Sequence, residues 1–269
     1  MLTLTLRHRD PVPLEAECVC PDRLMSMAIA DIGRLRVWHG NRQTELAEHF
    51  QITGDGSDGR VRVEGDCSRV KMLGSGMASG CLLIAGNAGM HAGARMTGGE
   101  LIIQGDAGDW AGAEMSGGLI RIGGSAGNLA GAAYRGSVHG MKGGMILVEG
   151  DAGDEVGASL RRGIIAVSGR VGDFCGVNAA AGTIVVGGRV GARAGAAMRR
   201  ATIVTLGPAP DLLPTFHVCG TVSPTFLKVL ARHLESHGFS GAEKLKGRFV
   251  RSCGDMVSLG KGEILYQAD

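Results

Sequence analysis

Between Gly86 and Gly207 the polar and apolar positions of the chain follow neither the 3.6-residue rhythm of a helix nor a bare strand alternation; they return together every nineteen residues. Counted from Gly86 as position zero, apolar pairs stand at plus fifteen and plus seventeen, as in Ile120 with Ile122 and Ile184 with Val186. A single apolar column stands at plus ten: Met77, Met96, Met115, Met141, Leu160, Ala179 and Met198. Glycine punctuates each unit at position zero (Gly86, Gly105, Gly124, Gly150, Gly169, Gly188) and again at plus three, plus seven and plus thirteen. The interval from Gly124 to Gly150 is 26 residues, which places seven extra residues at about Tyr134 to Gly140.

Interior glycine costs about 1 kcal/mol against alanine in a helix, so four per unit exclude a helical repeat. The units are therefore predicted to be coils of short strands with glycine at the corners, stacked about 4.8 Å apart through parallel ladders. The plus-ten column then fills a narrow interior, since flexible methionine suits irregular core space. Plus fifteen and plus seventeen point inward, so plus sixteen points out. Those outward residues are Ile102, Arg121, Leu147, Ala166, Val185 and Val204, mostly apolar, which predicts a sheet face covered on its outer side.

The ends lack the period. Leu2, Leu4 and Leu6 alternate with polar residues as a half-buried strand, and Arg36 to Gly54 reads as strand, turn at Gly40-Asn41 and a second short segment. The unit before Gly86 carries Cys67 and Val70 where later units have glycine, as a terminal repeat would. After Pro208, Pro210 and Pro214 a helix is predicted over Pro224 to His237, with Ser223 as N-cap, Phe226, Leu230 and Leu234 as its apolar stripe and Gly238 at its end. The tail from Arg251 to Leu265 is turn-rich and closes on a strand-like piece. The expected organisation is an N-terminal cap over 1–64, a glycine-repeat domain over 65–207, and a helix with tail over 208–269.

Composition agrees with a thin repeat: glycine makes up 47 residues and aromatics only 4%. A net charge of +2 gives no bulk signal for nucleic acid. No charged leader with a long apolar run opens the chain and no run of eighteen apolar residues occurs, so a cytoplasmic protein without membrane contact is expected. Seven cysteines at scattered spacings read as reduced thiols.

Candidate chemistry is sparse. Gly54, Gly56 and Gly59 fit a dinucleotide fingerprint, yet Arg60 to Glu64 continues as strand where a helix is required, and Gly260-Lys261-Gly262 lacks the frame of a phosphate loop. His233 and His237 share a helix face without a third metal ligand. Asp106 and Asp151 at plus one, with Asp109, Asp154 and Asp173 at plus four, are the carboxylates one would test for glycoside chemistry, but they sit beside corner glycines and read as turn acceptors. A stronger signal is charge asymmetry: Arg161 with Arg162, and Arg199 with Arg200, occupy plus eleven and plus twelve two units apart, a basic edge for an acidic partner or an anionic ligand. The insertion adds Tyr134, Arg135 and His139, with Lys142 just beyond, as further candidate contacts; no catalytic, cofactor-binding or metal-ligating residue is expected.

The nineteen-residue glycine repeat, VWHGNRQTELAEHFQITG ahead of it and GDMVSLGKGEIL behind it together resemble the C subunit of formylmethanofuran dehydrogenase, over nearly the whole chain. The repeat alone also resembles the C-terminal β-helix of the glutamate synthase large subunit. Length and short ends resemble the version in the formyltransferase/hydrolase complex of methylotrophic bacteria. The resemblance implies an all-β, right-handed parallel β-helix that is a non-catalytic subunit among four. It further implies partners: a formyltransferase subunit moving a formyl group between formyl-tetrahydromethanopterin and a methanofuran-type carrier, a zinc-dependent hydrolase subunit releasing formate, and one further subunit. Carrier and zinc would then belong to the partners, with no cofactor in this chain. Two alternatives stand beside it, the C subunit of a molybdenum or tungsten dehydrogenase and a stand-alone β-helix enzyme acting on polysaccharide.

Overall fold

The computed structural model describes residues 1–268. One sheet of thirteen strands dominates it, and a separate four-stranded sheet lies in the N-terminal part. The repeat supplies the middle of the large sheet: Cys81–Ile84, Glu100–Ile103, Leu119–Ile122, Met145–Val148, Ile164–Val167, Thr183–Val186 and Thr202–Thr205, each parallel to the next. Register is that of the sequence period, with Leu82, Leu101, Ile120, Ile146, Ile165, Ile184 and Ile203 in one row. Opposite this row, single parallel bridges join Cys67, Ala88, Ala107, Ala126, Ala152, Val171 and Val190. The plus-ten column lies between them, and Met77, Met96, Met115, Met141, Leu160, Ala179 and Met198 are all 0% exposed.

The sheet extends past the glycine repeat at both ends. Arg60–Glu64, in the segment expected to cap the repeat, pairs parallel with Cys81–Ile84, and Leu2–Leu6 pairs parallel with Arg60–Glu64. The chain end returns to the far side, where Gly262–Gln267 pairs parallel with Thr202–Thr205. Antiparallel strands close both edges: Phe50–Gly54 beyond Leu2–Leu6, and Phe249–Gly254 then His217–Val222 beyond Gly262–Gln267. Short helices α1 (Pro21–Leu24), α2 (Ile29–Gly33) and α3 (Leu46–His49) lie in the N-terminal part, for which the sequence pattern predicts a β-rich cap. Phe216, 7% exposed, packs on the interior at the other end against Met198 and Gly195.

Cys67 does not stand where glycine does in later units. It bridges Ala88, a plus-two residue, while Gly65 faces Gly86 as position zero, and Ser68 and Arg69 take up the difference before Val70.

The outer face of the sheet is covered as its alternation predicts. A second core joins Leu147, Ala166, Val185 and Val204 to the helix α4 (Thr225–Ser236) and to Phe239, Leu245, Phe249 and Leu265. Two details differ from expectation. The N-cap is Pro224 and not Ser223, and the buried stripe is Leu227, Leu230, Ala231 and Leu234, leaving Phe226 41% exposed. Both stripes satisfy helical spacing, and packing selects the one that meets the sheet. The cover stops short of the first units: Arg121 Nη1 donates to the His237 carbonyl at the helix end (2.6 Å), and Ile102 beyond it is only half-buried.

Among the described residues no helix is long and apolar enough to cross a membrane.

Candidate functional site

The insertion and the corner beside it form the most differentiated part of the surface. In each unit the plus-five residue adopts a left-handed backbone, φ between 58° and 65° across His91, Trp110, Leu129, Glu155, Phe174 and Arg193, and so does the plus-seven glycine. A Cβ on the plus-seven glycine would enter the interior, meeting Ile146 Cδ1 at 2.6 Å in the case of Gly112. Plus five faces out and keeps a full side chain despite the conformational strain. The plus-five residues therefore stack as a column on the outside. His91 and Trp110 are stacked with ring centres 5.4 Å apart.

Tyr134 folds back onto this column instead of projecting from it. Its hydroxyl lies 3.0 Å from His91 Nδ1, its ring centre is 6.4 Å from that of Trp110, and the Arg95 guanidinium sits over its face at 5.2 Å. Arg95 pairs with Glu114 (3.0 Å), and Glu114 accepts a hydrogen bond from the Tyr134 amide at 3.4 Å. Burial, then the nearby Lys71 charge, holds His91 below its ordinary value, which favours the neutral imidazole. Burial pushes Tyr134 up and keeps its hydroxyl protonated. Burial would raise Glu114, but bonds from Ser137, Arg95 and the Tyr134 amide outweigh it and hold the carboxylate ionised.

The remainder of the loop leans over the next units and encloses an open groove of about 410 Å³, lined by Trp110, Leu129, Tyr134, Arg135, Glu155 and Phe174. Trp110 Nε1 is buried without an acceptor. Arg135 and His139 are exposed, and Val138 at the tip is 74% exposed. Aromatic walls, one unused indole donor and flanking arginines suit binding. The plus-five column escaped sequence reading because its residues share no chemistry; the constant offset was the signal that could have found it.

The basic edge begins where the loop ends. Arg161 Nη1 lies 3.1 Å from His139 Nδ1, and Lys142 occupies plus eleven one unit before Arg161. The backbone repeats there, with the amides of Lys142, Arg161 and Arg199 donating to Met115, Met141 and Ala179. Arg199 and Arg200 stand two units beyond Arg161 and Arg162, past Ala180 and Ala181. Arg135, Lys142, Arg161, Arg162, Arg199 and Arg200 are all exposed, and none forms an ion pair among the described residues. Loop and edge thus meet through His139 and Arg161, while Tyr134 is engaged internally.

The corner carboxylates act between units. Asp106, Asp109, Asp151, Asp154 and Asp173 each accept, through Oδ1, the amide nineteen residues later, at 2.7 to 2.9 Å. The rings of His233 and His237 meet edge to face at 4.7 Å. Among the described residues no group of three or more His, Cys, Asp or Glu side chains is placed to hold a metal ion.

No family model matches the chain. A chain in the crystal structure of the formyltransferase/hydrolase complex (FhcABCD) from Methylorubrum extorquens, solved with methylofuran, has the same fold with a TM-score of 0.92. It is 34% identical, and the match covers 99% of this chain and 100% of that one. Over 84 residues this chain is 38% identical to the C subunit of the molybdenum-containing formylmethanofuran dehydrogenase 1 of Methanosarcina barkeri, 30% of this chain and 28% of that one. Over 97 residues it is 33% identical to the C subunit of the tungsten-containing formylmethanofuran dehydrogenase 2 of Methanothermobacter thermautotrophicus, 35% of this chain and 36% of that one. The chain belongs to the family of formylmethanofuran dehydrogenase C subunits. With these dehydrogenase members of the family the aligned part spans only about a third of their length or less.

Proposed function

We propose that this chain is a non-catalytic structural subunit of a cytoplasmic formyltransferase/hydrolase complex that converts formyl-tetrahydromethanopterin to formate by way of a methanofuran-type carrier. The observation that carries the reading is the end-to-end likeness to a chain of the Methylorubrum extorquens complex, which covers 99% of this chain and all of that one. The partners are then a formyltransferase subunit, a zinc-dependent hydrolase subunit and one further subunit, with zinc and carrier held by them. The fold is that of a right-handed parallel β-helix, an N-terminal cap ahead of the coils and a helix with tail behind. In-register parallel strands and the opposite row of bridges support this reading. The C subunit of a molybdenum or tungsten dehydrogenase is the second reading, favoured by the local identity to those enzymes.

Within such a complex the insertion and the basic edge serve as the docking surface, through Tyr134, Arg135, His139, Lys142, Arg161, Arg162, Arg199 and Arg200. Unpaired guanidinium groups beside an aromatic groove fit an acidic partner surface. The experiment is purification of the chain from its native source under its own promoter, with mass-spectrometric identification of what accompanies it. A formyltransferase and a metal-dependent hydrolase in fixed ratio are expected. Recovery with a molybdenum- or tungsten-containing dehydrogenase subunit selects the second reading, and a monomer active on polysaccharide overturns both.

A further inference from the structure

Four of the seven cysteines, Cys18, Cys20, Cys67 and Cys175, are buried, and burial pushes their thiols up to about 11 or 12. Cys219 and Cys253 differ in place and in company. The strand His217–Val222 is the outermost of the large sheet, and its pairing with Phe249–Gly254 runs His217 to Cys253, Val218 to Ser252, then Gly220 to Arg251. Cys219 is thus an extra residue with no partner of its own, a bulge relieved by Gly220 at φ 112°. The Cys219 thiol donates to the carbonyl of His217 at 3.3 Å, and His217 is the residue paired with Cys253, so the bulge sets the two cysteines side by side on neighbouring strands. Cys219 is exposed and Cys253 half-buried.

The position gives this pair a consequence. Between the two cysteines the chain runs through α4 and the turn Ala242–Lys246, the whole segment that covers the outer sheet face over Leu147, Ala166, Val185 and Val204. We propose that Cys219 and Cys253 are a reversible disulfide site that fastens this covering segment to the end of the sheet. The oxidant is a low-molecular-weight disulfide. The Cys219 thiolate attacks one of its sulfurs, forming a mixed disulfide and releasing one small thiol; Cys253 then attacks Cys219 Sγ and releases the second. The protein pair gives up two protons and two electrons, and the small disulfide is reduced to two thiols. Cys219 is exposed and Cys253 half-buried, and burial pushes the Cys253 thiol above its ordinary value, so Cys219 reacts first.

The test uses the full-length chain with excess glutathione disulfide, followed by maleimide blocking in denaturant and peptide mass mapping. Expected are the loss of both maleimide adducts at Cys219 and Cys253, one linked peptide pair joining them, and recovery of both adducts with dithiothreitol. The variant Cys253→Ser should stop at a glutathione adduct on Cys219. Closing this loop should raise the thermal midpoint of the oxidised chain by several degrees over the reduced chain. The proposal is overturned if wild-type Cys219 keeps its glutathione while Cys253 stays open to maleimide, if both stay open, or if the linked chain melts where the reduced chain does.

Discussion

At the scale of the residue, glycine serves this chain for two separate reasons. At positions zero and plus three the backbone is ordinary, and the preceding unit is what excludes a side chain. A Cβ on Gly172 would collide with Asp154 Oδ1 and lie 2.9 Å from the carbonyl carbon of Gly153. That same Oδ1 accepts the Asp173 amide at 2.8 Å, so the atom that ties two units together also reserves the space for glycine. Gly238 behind α4 is the opposite case, with φ at 73° and open space around its Cα. Gly172→Ala should therefore lose about 2 kcal/mol or more, because backbone and a bridging carboxylate must both shift. Gly238→Ala should lose about 1 kcal/mol from left-handed strain alone. Urea unfolding of the two variants measures the difference, and equal losses would show that the preceding unit yields to a side chain and that space does not reserve plus three for glycine.

At the scale of the element, the large sheet is apolar on both faces and depends on α4 for its outer one. Val185 is 0% exposed and packs in the core that joins sheet and helix. Val185→Asp buries an unpaired carboxylate there and should destabilise the chain by several kcal/mol, read as a lower denaturation midpoint; a wild-type midpoint would mean the helix leaves the sheet in solution. This relation was legible in the sequence because the plus-sixteen column is a regular position, and regular positions reveal which way a side chain points. Less regular features were not legible. The antiparallel strands Phe249–Gly254 and His217–Val222 pair across the sequence-distant α4 segment, and such pairing leaves no local period. The stripe of α4 was read one residue off at Phe226, since packing against the sheet and not helical spacing decides between Phe226 and Leu227. In the candidate site the basic edge followed from fixed offsets, whereas the contact of Tyr134 with His91 joins residues of two different units through a loop whose path no repeat dictates.

At the scale of the whole molecule, the insertion is the one place where the repeat is interrupted without being disturbed. In regular units the plus-ten amide donates to the plus-seven carbonyl, as Met96 does to Gly93 and Met115 to Gly112. Met141 makes the same bond to Gly131 at 2.9 Å, although seven more residues intervene. The loop therefore leaves and re-enters the chain between positions already joined, and excising Tyr134 to Gly140 would restore the ordinary connection from Ala133 to Met141. Apart from the Gly140 amide's bond to the Ser159 carbonyl (2.9 Å), what the deletion removes lies outside the ladders: the Tyr134 bond to His91, the Arg95 contact, one wall of the groove and the His139 link to Arg161. The shortened chain should keep its circular dichroism spectrum and lose only about 1 kcal/mol of stability, the order of one hydrogen bond. If the loop and basic edge form the docking surface, assembly with the partner subunits should weaken by about tenfold or more, since aromatic and arginine side chains carry most of such binding. Sedimentation or size exclusion of the reconstituted complex reads this directly. Undiminished assembly by a folded deletion variant would move the docking surface away from the loop and leave Arg161, Arg162, Arg199 and Arg200 as the residues to replace next.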